Sequence, residues 1–252
     1  MTAPALNHTH PFIQVLAGLS NVQMAWLDLD LVFSEEPLRT WHRDRLWMLS
    51  DRGMATVVSD AARVELLRRH GGTYIDLDAF SLRPLPAATN WLARIDDRLV
   101  GNAIMSFAAG HSLLQAVVAD IPSSFEPSTC CSVGPDLLTR HLQRLCPRNI
   151  TIPASAGFNQ TEICGDITVW PSKLFCPIHY GYLRHQLPSL VREGEGLGPA
   201  FFKTSKAFSL HLFHSLSHRR PVSLEGDSIL MEAANRNCPR VVEVLRRFKT
   251  YL

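Results

Sequence analysis

Residues Ser59 to Phe80, SDAARVELLRRHGGTYIDLDAF, constrain this chain more than any other stretch, because they specify a helix, a stop and a strand in close succession. Ser59 predicts an N-cap and Asp60 an acid at the positive end of the helix dipole, so a helix is expected from Asp60 to His70. Gly71 and Gly72 supply the positive φ that ends a helix. Thr73 to Leu77 then favours a strand, whose period of two puts Asp76 and Asp78 on one face at its end. Two carboxylates at that spacing suit a hard divalent cation, Mg²⁺ or Mn²⁺, which keeps some waters and takes its other ligands from a substrate's phosphates.

The 252 residues, 46% of them hydrophobic, are enough for a full core. A net charge of +2 gives no field of the kind that nucleic acid requires, although Arg63, Arg68, Arg69 and His70 favour an anionic nucleotide locally. The most apolar stretch, Gly101 to Ile121, is interrupted by Asn102, His111 and Gln115, so no membrane span is expected in the chain. Its start, MTAPALNHTH, lacks the charged-then-apolar pattern of a signal peptide. Six cysteines and the sequons at Asn7, Asn149 and Asn159 fit a secretory lumen. Cys146 and Cys164 flank a loop carrying two of those sequons, and a disulfide is expected between them if the chain matures there. Cys130 and Cys131 are not expected to pair with each other, and Cys176 and Cys238 are candidates for buried thiols.

Elsewhere the periodicity predicts a short helix over Phe12 to Leu19, a strand over Val22 to Leu27, and short helices over Leu29 to Phe33 and Pro37 to Leu49. Trp41 is expected to pack in the core. A helical turn is expected beyond Pro86, a strand from Leu99 through Met105, a helix after Gly134 and Pro135, a loop from Arg192 to Ala200, and a strand around Phe208 to His214. Alternation of strands and helices around the aspartates indicates an α/β sheet.

Several segments, in order, carry a resemblance. SDAARVELLRRHGGTYIDLDAF followed by Leu82, Arg83, Pro84 and Leu85 resembles the signature of glycosyltransferase family 32, the alpha-1,4-glycosyltransferases. EEPLRTW, GNAIMSFAAGH, VGPDLLT, FCPI, FSLHLFH and the Cys-Pro near the C-terminus extend that resemblance from about Asn21 onward. It implies a GT-A, Rossmann-like nucleotide-sugar fold, here N-terminally short of its first strand, with 1–252 as one glycosyltransferase domain. Residues 1–20 remain unassigned, 21–125 form the nucleotide-sugar half, and 126–252 the acceptor-side half.

The function implied is retaining, metal-dependent transfer of galactose or an N-acetylhexosamine from a UDP-sugar, in alpha-1,4 linkage, to a galactose-ended glycolipid or glycan. Mn²⁺ or Mg²⁺ is the implied cofactor, held by Asp76 and Asp78. Asp60, Arg63 and Asn102 are candidate contacts to the donor sugar, and their alternatives are an i,i+3 ion pair and a satisfied strand asparagine. His211 is a candidate metal ligand or a satisfied structural histidine. No catalytic nucleophile is nominated. A Golgi location is implied, with membrane association only through a missing N-terminal anchor. Two other classes compete: a haloacid-dehalogenase-type phosphatase, which also uses an Asp-x-Asp at a strand end, and a non-catalytic, lectin-like remnant.

Overall fold

The computed structural model describes residues 7–50, 54–96, 98–129, 131–146, 160–179, 187–194 and 196–248. In chain order its helices are α1 (Pro11–Ala17), α2 (Leu29–Val32), α3 (Leu38–Arg43), α4 (Met54–His70), α5 (Ser112–Ser124), α6 (Pro135–Leu145), α7 (Ser172–Phe175), α8 (Leu197–Thr204), α9 (His214–Ser217), α10 (Ile229–Asn237) and α11 (Pro239–Phe248). The strands are β1 (Gly72–Ile75), β2 (Ala79–Ser81), β3 (Trp91–Arg94), β4 (Val100–Phe107), β5 (Glu162–Cys164), β6 (Ile167–Trp170) and β7 (Ser209–His211). Two compact units result: one of residues 28–179 and 206–212, the other of 1–27, 180–205 and 213–252.

The first unit is a mixed α/β layer structure. Its five-stranded sheet runs β1-β4-β3-β6-β5, and only β3 and β6 pair in parallel. Strand alternation divides the side chains between two cores. Leu92, Met105 and Phe107 join Val57, Ala61 and Val64 of α4, Leu113 and Val117 of α5, and Leu138 and Leu142 of α6. Trp91, Ala93 and Ile104 pack on the opposite side with Phe175, against Ala79 and Phe208. Trp41 is a packing residue, fully buried and edge-on to Phe33 and Phe125. A disulfide joins Cys146, just beyond α6, to Cys164 at the end of β5.

Several expectations are corrected. The helix does not begin at Ser59 but at Met54, because burying Val57 and Val58 extends it backwards and outweighs the capping signal. Ser59 instead receives Arg63, one turn on, at both its hydroxyl and its carbonyl oxygen. The turn expected beyond Pro86 contains strand β3, whose four residues are all buried, so it has no polar–apolar alternation to mark it. Residues 22–27 form no strand: they have no ladder partner among the described residues, and Val22, Met24, Trp26 and Leu27 are exposed.

In the second unit, α8 contacts α10, and α11 contacts α10 and α1. The loop expected to reach Ala200 ends at Gly196, where α8 begins, and its backbone is tied down by Asp227, whose carboxylate accepts from the N–H groups of Gly194 and Gly196. Among the described residues no helix is long and apolar enough to cross a membrane. The sequons at Asn149 and Asn159, and Cys130, lie outside the described residues.

Candidate metal and donor-sugar site

Gly71 and Gly72 turn the chain from α4 into β1 with φ of +66° and +98°. At Gly71 the requirement is also steric, since a Cβ there would lie 2.6 Å from the backbone nitrogen of Ala109. β1 stops at Ile75, one residue before the first aspartate. The Asp76 N–H still reaches the sheet, donating to the Ala103 carbonyl at 2.7 Å, and the Asp76 carbonyl then accepts from the Ala79 N–H at 3.0 Å. A turn, not strand alternation, therefore presents Asp76 and Asp78, with Leu77 fully exposed at its tip.

The return strand is what completes the group. β2 pairs antiparallel with β7, Ala79 opposite His211, and the Leu212 N–H donates to the Asp78 carbonyl at 2.8 Å. This register sets the His211 Nε2 3.3 Å from Asp78 Oδ1 and 3.7 Å from Asp76 Oδ2. One ligand atom from each of the three residues falls within 4.8 Å of the others. Burial alone would lower the His211 pKa, but its hydrogen bonds to Asp76 and Asp78 and their charge prevail and lift it to about 9. Two carboxylates and an imidazole are a donor set that fits a divalent cation of the Mn²⁺ or Mg²⁺ kind.

Behind Asp76 lies a buried polar network. Tyr74 donates its hydroxyl to Asp76 Oδ1 at 2.6 Å. Arg63 stacks over the Tyr74 ring, 4.7 Å from its centre, and its Nη1 lies 3.2 Å from Asp76 Oδ1. The same nitrogen donates to the Asn102 carbonyl at 3.2 Å, while Nη2 donates to Ser59 Oγ at 2.8 Å and lies 3.3 Å from Asp60 Oδ1. Asn102, in β4, donates its amide to Asp60 Oδ1 at 2.8 Å. Asp60, Arg63 and Asn102 are thus brought together, all buried, and the i,i+3 pair is one strand of a larger net. Burial raises the Asp60 carboxyl to about 6, aided by the charge of Asp76 and opposed by Arg63 and Asn102.

Tyr74, Ser59 and Gly134 join this cluster, although the sequence marks them only as part of the family signature, as a helix cap and as the lead-in to a helix, and not as candidate site residues. Tyr74 stands in the Gly-Gly-x-Tyr-x-Asp-x-Asp run and could have been found there, as a phenol two residues before a carboxylate on the same strand face. Ser59 was obscured by its reading as a cap. Gly134 is marked only by its place before Pro135 in the VGPDLLT segment, which says nothing of Asp60.

An acidic pair closed by a histidine, with a buried Asp–Arg–Asn net behind it, lies within a stretch that a sugar-binding family model matches in part. The family model described as "Alpha 1,4-glycosyltransferase conserved region" matches residues 106–245, and that for a "Glycosyltransferase sugar-binding region containing DXD motif" matches residues 6–96. The chain belongs to the alpha-1,4-glycosyltransferase family, family 32. It is 26% identical over 237 residues to human alpha-1,4-N-acetylglucosaminyltransferase, covering 93% of this chain and 65% of the relative. To the gorilla lactosylceramide 4-alpha-galactosyltransferase it is 24% identical over 241 residues, covering 95% of this chain and 69% of the relative. The rat lactosylceramide 4-alpha-galactosyltransferase matches at 25% over 229 residues, 90% of this chain and 59% of the relative. The chain therefore spans roughly two thirds of the length of these relatives. No solved structure matches. Family membership sets the phosphatase reading aside.

Proposed function

We propose that this chain is the catalytic part of a retaining, metal-dependent glycosyltransferase that moves galactose or an N-acetylhexosamine from a UDP-sugar, in alpha-1,4 linkage, to a galactose-terminated glycolipid or glycan. The observation that carries the reading is the convergence of Asp76 and Asp78, from the turn between β1 and β2, with His211 of β7, beside the buried Asp60–Arg63–Asn102 net. The fold proposed is GT-A, with 1–252 acting as one glycosyltransferase domain. A Golgi lumenal setting, which the family resemblance implies, is proposed with it, and the Cys146–Cys164 disulfide, which needs an oxidising compartment, supports a lumenal one.

In this reading Asp78, Asp76 and His211 hold Mn²⁺ or Mg²⁺. When bound, the cation supplies positive charge where the departing diphosphate develops its negative charge. The remaining work belongs to the chain. Tyr74 and Arg63 hold the Asp76 carboxylate in one orientation, so little reorganisation is needed when the site is charged. Asp60 commits Oδ1 to Asn102 and Arg63, and its Oδ2 is assigned to a hydroxyl of the donor hexose. Leu77, fully exposed between the two aspartates, offers an apolar contact to whatever covers the site. Calorimetric titration of Mn²⁺ and UDP tests the reading: UDP binding that requires Mn²⁺ supports it, and no binding of either overturns it.

A further inference from the structure

Resting on the proposed function, we propose that Gly134 is a positioning residue for the donor sugar, its missing side chain giving the Asp60 carboxyl a seat at the start of α6. A Cβ built on Gly134 would lie 2.4 Å from Asp60 Oδ2, 2.9 Å from Asp60 Cγ and 2.9 Å from the Asn102 amide nitrogen. Real Cβ atoms do not make contacts that short, and the obstructing atoms here are not the free ends of flexible chains. Asp60 is 4% and Asn102 6% exposed, and they are bonded to each other.

Neither side can yield easily. Gly134 is held by its N–H to the Cys131 carbonyl at 3.0 Å, and its own carbonyl opens α6 by accepting from the Leu138 N–H at 3.1 Å. α6 is in turn locked by Leu137, Leu138 and Leu142, all fully buried. The Asp60 carboxyl is fixed from its other oxygen by Asn102 and Arg63. Three elements thus meet at one point: α4 with its acid, β4 with its amide, and the N-cap of α6, Gly134, with no side chain. A methyl group at 134 pushes the carboxyl off Asn102, while Asp78, bonded through its carbonyl to Leu212, and His211, in β7, keep their places. The defect is therefore directed at the hexose and not at the diphosphate.

The test is a cycle of G134A, D60A and D60A/G134A in the full chain. Against wild type, G134A is expected to lower kcat/KM for UDP-sugar hydrolysis or transfer by about 100-fold, the scale of a roughly 1 Å misplacement. Its affinity for UDP with Mn²⁺ should stay within about twofold, and its Tm should fall by about 4–8 °C from overpacking. In the D60A background the same glycine change should cost much less in both readouts, because the carboxyl contacts at 2.4 and 2.9 Å are gone and the Asn102 amide, at 2.9 Å, is no longer held by Asp60 and can turn aside. An equal Tm loss in both backgrounds overturns the proposal, as does a matched loss of UDP and UDP-sugar affinity in G134A. If G134A does not fold, folding of D60A/G134A supports the proposal and its failure overturns it. A wild-type chain that neither binds nor turns over a UDP-sugar defeats the functional reading instead, and the Tm cycle then decides by itself whether Gly134 acts through Asp60.

Discussion

The competition between a proton and a metal ion at His211 gives the most quantitative expectation. The two neighbouring carboxylates lift its pKa to about 9, so at neutral pH the metal-free site holds an imidazolium that must lose its proton to become a ligand. Below that pKa each pH unit costs about 1.4 kcal/mol, a factor of ten. Calorimetric Mn²⁺ affinity should therefore rise about 100-fold between about pH 6.5 and about pH 8.5. The H211Q variant, which has no titrating group at this position, should lose that slope. Stability of the metal-free chain runs the other way. The raised pKa favours the fold in full below the unfolded histidine value of about 6.5, and that contribution is lost as pH rises through about 9. The shift corresponds to roughly 3 kcal/mol, readable by urea unfolding across that window. A flat Mn²⁺ affinity in wild type, or equal slopes in wild type and H211Q, would refute the assignment of His211 to the metal group.

Replacing Asp78 by Asn should abolish Mn²⁺-dependent UDP-sugar hydrolysis and leave the circular dichroism spectrum unchanged, and retained activity would remove Asp78 from the site. The D60N change should weaken a UDP-sugar by at least about tenfold more than UDP, the worth of one charge-assisted hydrogen bond; equal losses would make Asp60 purely structural. His211→Ala should weaken Mn²⁺ binding where His218→Ala, at an exposed helix end, does not. Replacing Cys146 by Ser opens a loop with a sequence separation of 18 and should cost about 3 kcal/mol in urea unfolding.

Much of the site's wiring was legible because it is local. Helix, glycine stop, strand and acidic pair follow one another within a single stretch, and each step has its own residue chemistry. What the stretch does not contain is its context. Nothing near Ser59 announces that Val57 and Val58 will be buried, so the capping signal marked a start that tertiary packing moved back to Met54. Strand β3 was hidden because alternation marks a strand only when one face meets water, and Trp91 to Arg94 meet none; Arg94 is buried through a two-point pairing with Glu162 at 2.9 and 3.0 Å. Residues 22–27 erred in the opposite sense, since an alternating pattern is necessary for a half-buried strand but a partner makes it one. Gly134 shows the limit most plainly: the reason for a missing side chain lies in the residues that occupy its space.

The β2–β7 ribbon gives the site a place in time as well as in space. Asp78 and His211 are more than half the chain apart in sequence, and the chain runs out through residues 180–205 of the other unit before 206–212 rejoin this one and 209–211 pair with 79–81. The acidic pair is synthesised early, yet its histidine arrives only after most of the polypeptide exists. Closing so long a loop is a late event in folding, favoured only once the sheet beneath is formed. A chain interrupted before Ser209 would carry the aspartates without the imidazole, and under the proposed function tight capture of the cation would distinguish finished molecules from incomplete ones.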